Sequence, residues 1–390
     1  MENKKTRIEW IDGLKGLACI LVFVHHFLLA LYPATYYGFE ADSHSVNGID
    51  TMMSYTPWGV LINGNFYVNT FILISAFLLC SQVLKAIDSD ADPIRKISSI
   101  ALKRYPRLML PTLAAGTIYY LIVYIGYWVG LTESTDGLQH SFLGMIYTLV
   151  IKMWIARDMT VIGNFWMLQP LFIGSFLAIL LGIMAGKNRK WYVVIPVYAL
   201  AAYIFGSIDH YMWTISLGCM VAYIVARTQA VEWLKSKKWL AIVLGIVLLV
   251  FGIYLGGYPS YQAPEACPTT YYRWLDFFYY RVPGIMEIMH AFGAFFLVWA
   301  FLLLSPLAKA FSCKPLKWLG SISYGVYALH PIPLEILTYR LAGVFAKIVE
   351  GRDLICLMTF IALLIIVLIM SQLFKMTVEK YVNKLVAMIK

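Results

Sequence analysis

The sequence predicts an all-α, polytopic membrane protein, and both its composition and its pattern point to this class. Of its 390 residues, 61% are hydrophobic and only 13% are charged, whereas a soluble domain carries about 25% charged residues. The apolar residues fall into runs of about 20, the length that an α-helix needs to cross the hydrocarbon core of a bilayer. We therefore expect a single transmembrane domain over residues 1–390, in the cell membrane, with no separate soluble domain.

The lengths of the apolar runs predict about ten transmembrane helices. The predicted spans are 13–33, 60–84, 107–129, 167–186, 191–206, 210–228, 239–257, 285–305, 320–346 and 354–374. The fifth and sixth are short and close together, so a merged or re-entrant pair is an alternative. The apolar segment 141–156 is too short to span, and it fits a segment that lies on or dips into the outer face.

Basic loops alternate along the chain with loops that are poor in lysine and arginine. The connection 85–106 holds five basic residues, whereas 34–59 holds none. Because short cytoplasmic loops collect Lys and Arg, this alternation predicts that both termini are cytoplasmic and that the number of spans is even. The same rule accounts for the formal net charge of +10. We therefore expect contact with membrane lipid and no nucleic-acid partner.

Neither a metal site nor a soluble-enzyme motif is predicted. The six cysteines occur singly, most of them in or beside apolar runs, without the spacing of metal ligands or of a disulfide framework. The phosphate-binding loop, the zinc-protease helix and the nucleophile elbow are also missing from the sequence.

The first predicted span carries ionisable residues, which are expensive at membrane depth and are therefore functional candidates. Asp12 and Lys15 stand at its start, and His25 and His26 lie deep in its apolar run. Lys15 and His26 are about three helical turns apart, so they share a face and are separated by about 16 Å along the axis. His25 is turned by about 100° from His26. Imidazole titrates near neutral pH, which makes His26 the first candidate for a general base and His25 the second.

Arg104 and Arg107 lie three residues apart at the start of the third predicted span. Two guanidinium groups at a cytoplasmic border suit a phosphate-rich ligand such as a nucleotide or coenzyme A. The alternative is an ordinary anchor beside lipid headgroups.

Further polar residues stand in the later spans. His330 is expected near the middle of the membrane, where Pro331 frees a backbone carbonyl beside it. Glu287 and His290 are three residues apart, and we expect them to pair with each other. The segments 34–59 and 258–284 combine aromatic and polar side chains, a pattern that suits stacking on sugar rings, with an interfacial aromatic belt as the alternative.

Together these motifs resemble the integral membrane acyltransferase family 3, which O-acylates cell-surface glycans. The family's Asp-Gly-Leu-Arg-Gly motif and later histidine are similar to 12–16, with Lys15 for Arg, and His26. Its Arg-x-x-Arg motif resembles Arg104 and Arg107, and its Ser-Tyr-Gly-x-Tyr-x-x-His signature resembles 323–330. A Phe-rich run of the family's second span is similar to 71–79. The family often has a glutamate five residues after a Trp that matches Trp166, but this chain has Leu171.

The resemblance implies an acyltransferase that uses acyl-CoA as co-substrate and has no bound cofactor. It implies transfer of an acyl group, acetyl being expected, to a hydroxyl of a glycan or of another exported or lipid-linked acceptor. The implied catalytic residues are His26 and His25. The implied substrate-binding residues are Lys15, Asp12, Arg104, Arg107, Trp166, Tyr324 and His330.

Two questions stay open at this stage, the acidic partner of His26 and the function itself. Leu171 leaves the acidic partner of His26 unassigned, and Glu287 and Asp12 are the candidates to replace it. The alternative functions are a membrane transporter or exporter of a glycan or a proton-coupled substrate, and a non-catalytic glycan-binding relative.

Overall fold

The computed structural model describes residues 8–89, 91–131, 140–187, 189–261 and 271–389, and all regular structure within them is helical. The main helices are α1 (Glu9–Leu31), α2 (Gly64–Ser89), α3 (Pro93–Leu102), α4 (Arg104–Trp128), α5 (Leu168–Ala185), α6 (Trp191–Gly206), α7 (Tyr211–Arg227), α8 (Lys238–Gly256), α9 (Ile285–Leu303), α10 (Lys314–Leu329), α11 (Pro331–Phe345), α12 (Arg352–Phe374) and α13 (Lys380–Ala387). Shorter helices occupy Ala34–Tyr37, Ile49–Tyr55, Phe142–Tyr147, Met153–Ala156, Ala230–Ser236, Asp276–Tyr279 and Ser305–Phe311.

Within the described ranges, seven helices are long and apolar enough to cross a membrane, and each coincides with a predicted span. Helix α7 and the short helix Ala230–Ser236 meet at a bend of 69° and make an eighth if they form one span. Helix α6 is apolar but has only 16 residues. A multi-pass membrane protein is thus supported, while the count of about ten and the cytoplasmic termini remain predictions. The basic tail residues Lys4, Lys5 and Arg7 lie outside the described residues.

The predicted ninth span, 320–346, is wrong as a continuous helix. Helix α10 ends at Leu329, and α11 begins at Pro331. Proline has no N–H for the helical hydrogen-bond ladder and its ring clashes with the preceding turn, so Pro331 and Pro333 interrupt the span. His330 is therefore placed at the junction of two helices.

The two ends of the bundle differ in the residues that connect the helices. At one end, where α1 and α10 begin, Lys317 Nζ lies 3.0 Å from Glu9 Oε2; we call this the basic end. At the other, Arg352 donates a hydrogen bond of 2.8 Å to the Leu31 carbonyl. The connection 32–63 lies at this second end of the bundle, which we call the loop end.

Helices α1 and α10 run parallel and touch backbone to backbone near the basic end. A Cβ on Gly320 would lie 1.9 Å from the Asp12 carbonyl oxygen, and one on Gly16 would lie 2.4 Å from the Leu316 carbonyl oxygen. Small residues at helix interfaces allow this approach, and packing drives helix association in lipid. The glycines of the 12–16 motif therefore serve the packing of these helices.

The connection 32–63 is ordered around the carboxylate of Asp50. Its oxygens accept hydrogen bonds from Ser43 Oγ (2.6 Å), Ser45 Oγ (2.7 Å) and the His44 backbone N–H (2.7 Å). Burial opposes ionisation, but these hydrogen bonds stabilise the charged form and lower the pKa of Asp50 to about 2. The polar loop is thereby fixed above the end of α1.

Candidate functional site

Three histidine rings meet where α1 passes the junction of α10 and α11. The centroid of the His26 ring lies 5.0 Å from that of His25 and 5.0 Å from that of His330. Residues that are more than 300 positions apart in the chain thus form one cluster. The sequence predicted that His26 and His330 both lie at membrane depth, and the parallel packing of α1 and α10 brings them together.

His330 is held at both ring nitrogens and is only 1% exposed. Its Nδ1 lies 2.8 Å from the carbonyl oxygen of Tyr327, and because a carbonyl only accepts, Nδ1 must carry the proton. Its Nε2 then has a lone pair, which accepts a hydrogen bond of 3.2 Å from Asn164 Nδ2. His330 is therefore a neutral ring with a fixed tautomer and with no nitrogen left for a substrate.

His25 is held at one nitrogen and faces the loop end. Its Nδ1 donates to the Ile62 carbonyl at 2.9 Å. Its ring lines a small cleft with the hydroxyl-bearing side chains of Thr35, Tyr36, Ser54 and Ser260. The prediction that His25 and His26 are oriented differently agrees with this arrangement, since His26 does not line the cleft.

His26 is half-buried, and within the described part of the chain neither of its ring nitrogens has a hydrogen-bond partner. It therefore differs from His330, whose two nitrogens are both occupied, and from His25, whose Nδ1 is bound to the Ile62 carbonyl. His26 also lies five residues before the end of α1 at Leu31, or about 8 Å from the loop end of that helix at 1.5 Å per residue.

Lys15 and Asp12 lie together at the basic end, where Lys15 Nζ is 3.9 Å from Asp12 Oδ1. The fourteen residues from Asp12 to His26 correspond to about 21 Å along the helix. The hypothesis that Asp12 is the acidic partner of His26 is therefore wrong.

Arg104 and Arg107 have different surroundings although both lie in the first turn of α4. The guanidinium of Arg104 points between α2 and α5, where it donates to Ser175 Oγ at 2.7 Å and lies 3.5 Å from Ser75 Oγ. Among the described residues it forms no ion pair, so its charge is solvated by hydroxyl groups alone. Arg107 is exposed. A half-buried guanidinium without an ion pair in the described residues and an exposed one are thus placed next to each other at the basic end.

Trp166 and Tyr324 lie apart from the histidine contacts. The ring of Trp166 packs on Tyr211 at 5.2 Å, with the Arg157 guanidinium 5.6 Å from the Trp166 centroid. The Tyr324 hydroxyl lies 2.7 Å from Thr112 Oγ1 and joins α10 to α4. Trp166 therefore belongs to a loop-end aromatic group, whereas Tyr324 links two helices.

The expected pairing of Glu287 with His290 is wrong. His290 is fully buried, and its ring nitrogens contact Asn65 Oδ1 at 2.8 Å and the Tyr258 carbonyl at 2.9 Å. Glu287 is half-buried at the start of α9, where its charge acts on the hydroxyl groups of Tyr36 and Tyr211.

Two polar residues of the site were not singled out from the sequence. Asn164 was given no role from the sequence, although its side chain donates a hydrogen bond to His330. Glu335 accepts a hydrogen bond from Tyr119 with one carboxylate oxygen, while the other is buried without a partner in the described part of the chain. Glu335 could have been identified from the sequence, because an acidic residue within an apolar run is a functional candidate.

Comparison with known proteins gives one family match. A family model described as an acyltransferase domain, Acyl_transf_3, matches residues 8–371. No curated protein and no solved structure matches the chain.

Proposed function

Because the chain belongs to acyltransferase family 3, we propose that it is an O-acyltransferase of the cell membrane. The donor is cytoplasmic acyl-CoA, and the acyl group is expected to be acetyl. The acceptor is a hydroxyl of a glycan or of another exported or lipid-linked molecule. The family match supports a membrane acyltransferase in general, and the donor and acceptor are our proposal.

The observation that carries this proposal is the contrast between His26 and His330. His330 has both nitrogens occupied, whereas His26 has no hydrogen-bond partner in the described residues and packs against the His330 ring. A general base needs an available lone pair and a fixed position, and His26 has both.

The proposed reaction is a single displacement. The acceptor hydroxyl gives its proton to a ring nitrogen of His26 while its oxygen attacks the carbonyl carbon of the thioester. The carbon–sulfur bond breaks, the new ester leaves, and the departing thiolate takes the proton from the imidazolium. His26 returns to its neutral form, so no further reactant is needed.

The donor and the acceptor are proposed to approach from opposite ends. Arg104, Arg107 and Lys15 would hold the phosphate groups at the basic end, about 16 Å from His26 along α1. The long flexible arm of coenzyme A would then carry the thioester toward the histidine. At the loop end, the aromatic rings of Trp166 and Tyr36 would hold the acceptor.

The test is replacement of His26 by alanine in the full chain, with acyl-ester content of surface glycans and thioester consumption by the purified protein as readouts. A general base contributes about 10²–10⁴-fold to rate, so acylation should fall by at least about 100-fold. Replacement by glutamine of His140, whose ring contacts Thr160 and not the histidine cluster, is the matched control and should leave the rate unchanged. Full activity of the His26 variant would defeat the assignment. A wild-type protein that moves a glycan but consumes no thioester would identify a transporter.

A further inference from the structure

A cation with most of its hydrogen-bond donors unused lies beside the aromatic rings at the loop end. The Arg157 guanidinium is 5.6 Å from the ring centroid of Trp166 and 5.9 Å from that of Tyr211. Its Nη1 donates to Asp209 Oδ2 at 3.3 Å, the only hydrogen bond that it makes among the described residues. A guanidinium has five N–H donors, so most of them are available to a ligand.

The guanidinium is fixed beside the rings by its backbone and by its ion pair. Arg157 has φ 53° and ψ 37°, in the left-handed region where a residue with a Cβ is strained. Asp209 is fixed in turn, because its Oδ1 accepts a hydrogen bond of 3.0 Å from the Tyr211 N–H at the start of α7. Backbone strain of this kind is concentrated at functional sites and ligand clamps.

The rings are rigidly supported and lie close to the histidine cluster. Tyr211 is buried, and its hydroxyl is hydrogen-bonded at 2.6 Å to an asparagine of α2. Trp166 packs on it but is half-buried, so part of the indole is accessible. Trp166 and Asn164 share the 3₁₀-helix Gly163–Met167, about 4 Å apart along its axis. Because Asn164 binds His330, a ligand on Trp166 would lie near the cluster.

The charges at this surface favour an uncharged ligand. Arg157 is paired with Asp209, and Lys152, the other Lys or Arg of segment 140–167, lies 3.8 Å from Asp158. An anionic ligand would therefore meet a carboxylate beside each cation. Arg157 supplies only donors and Asp209 only acceptors, which suits two hydroxyl groups of one sugar. One hydroxyl accepts from the guanidinium, and the other donates to the carboxylate.

We propose that Arg157 and Asp209 determine the acceptor specificity by binding two hydroxyl groups of an uncharged sugar ring that stacks on Trp166. The proposal rests on the proposed function, because it takes this sugar to be the acyl acceptor. A merely structural ion pair would join the loop 157–162 to the start of α7 without changing the affinity for a sugar.

The experiment uses the purified full chain in a detergent without a sugar headgroup, with acetyl-CoA as donor. The neutral probes are the octyl glycosides of glucose, galactose and mannose, and the acidic probe is octyl glucuronide, all below their micellar concentrations. Binding is measured by saturation-transfer NMR, and acetyl transfer by mass spectrometry of the product. At least one neutral glycoside should bind and be acetylated, and the glucuronide should bind more weakly than the glucoside.

Replacement of either residue should weaken binding of the neutral glycoside. Arg157→Asn, a residue that tolerates the left-handed region, and Asp209→Asn should each raise the KM for the glycoside about tenfold with kcat little changed. Lys152→Gln is the matched control, because Lys152 also pairs with an aspartate and lies 5.7 Å from an aromatic centroid, that of Tyr147. This control should leave the KM unchanged.

The outcomes separate the two proposals. If acetyl is transferred but neither asparagine variant changes the KM for the glycoside, only the specificity assignment is overturned. Tighter binding of the glucuronide than of the glucoside, or no binding of any neutral glycoside, also overturns it. If a glycoside binds in a manner that depends on Arg157 but no thioester is consumed, the acyltransferase assignment fails while sugar binding is retained. Thermal unfolding establishes that each variant is folded; Arg157→Lys, which keeps the charge but not the planar fork and should also raise the KM, replaces Arg157→Asn if the latter does not fold.

Discussion

Replacement of Asn164 by alanine removes the only hydrogen bond that Nε2 of His330 receives from the described side chains. Asn164 Nδ2 donates to this nitrogen at 3.2 Å, while Nδ1 of the same ring stays bound to the Tyr327 carbonyl. Because His330 is 1% exposed, the lone pair on Nε2 is left without a partner, which costs about 1–3 kcal/mol. The ring that packs against His26 is then no longer held from two sides.

We expect this variant to lose about tenfold in kcat, the change that corresponds to about 1.4 kcal/mol, because the ring of His26 is positioned less well. Asn164→Asp should be at least as damaging, since a carboxylate cannot donate to the lone pair. The assay is thioester consumption by purified protein, with thermal unfolding in parallel. The reasoning is refuted if Asn164→Ala unfolds at a lower temperature but keeps the wild-type kcat, because Asn164 would then only stabilise the fold.

Three further predictions concern other parts of the chain. Gly320→Ala should destabilise the protein by several kcal/mol in thermal unfolding, because its Cβ would lie 1.9 Å from the Asp12 carbonyl oxygen and interiors tolerate overpacking poorly; an unchanged unfolding temperature would contradict this contact. Arg104→Lys should raise the KM for acyl-CoA, since an ammonium group cannot reproduce the two bonds to Ser175; a KM equal to that of wild type would show that Arg104 is structural. Asp50→Asn should destabilise the protein at pH 7. The pKa of Asp50 is lowered to about 2, so its contribution is present above its unfolded pKa of about 3.9 and is lost as the pH falls toward 2; a difference between variant and wild type that persists at pH 2 would argue against it.

The sequence was most informative for properties that a single helix determines, such as its position in the chain and the residues that share one of its faces. Apolar runs locate the seven helices that are long and apolar enough to cross a membrane in the described part of the chain, and the 3.6-residue period places Lys15 and His26 on one face of α1. These inferences need no knowledge of neighbouring helices. The close match between predicted and observed boundaries follows from the requirement that every backbone group in lipid be hydrogen-bonded within its own helix.

Contacts between helices could not be predicted in the same way. The spacing of Glu287 and His290 allows a pair, but Asn65 and Tyr258 reach the histidine from other parts of the chain and satisfy it first. The role of Asn164 is likewise visible only once α10 and α11 place His330 beside it. Spacing along one helix shows which side chains share a face, but not which partners the other helices supply.

The backbone contact between α1 and α10 has a mechanical consequence. At Gly320 the two parallel helices have no side chain between them that could be compressed or rearranged, so they cannot slide apart at the basic end without losing the contact. This fixed contact at Gly320 lies ten residues, or about 15 Å along the helix, from His330 on the side of the basic end. A widening of the gap between His26 and His330 would then be largest at the loop end, while the contact at Gly320 keeps the spacing at the basic end constant.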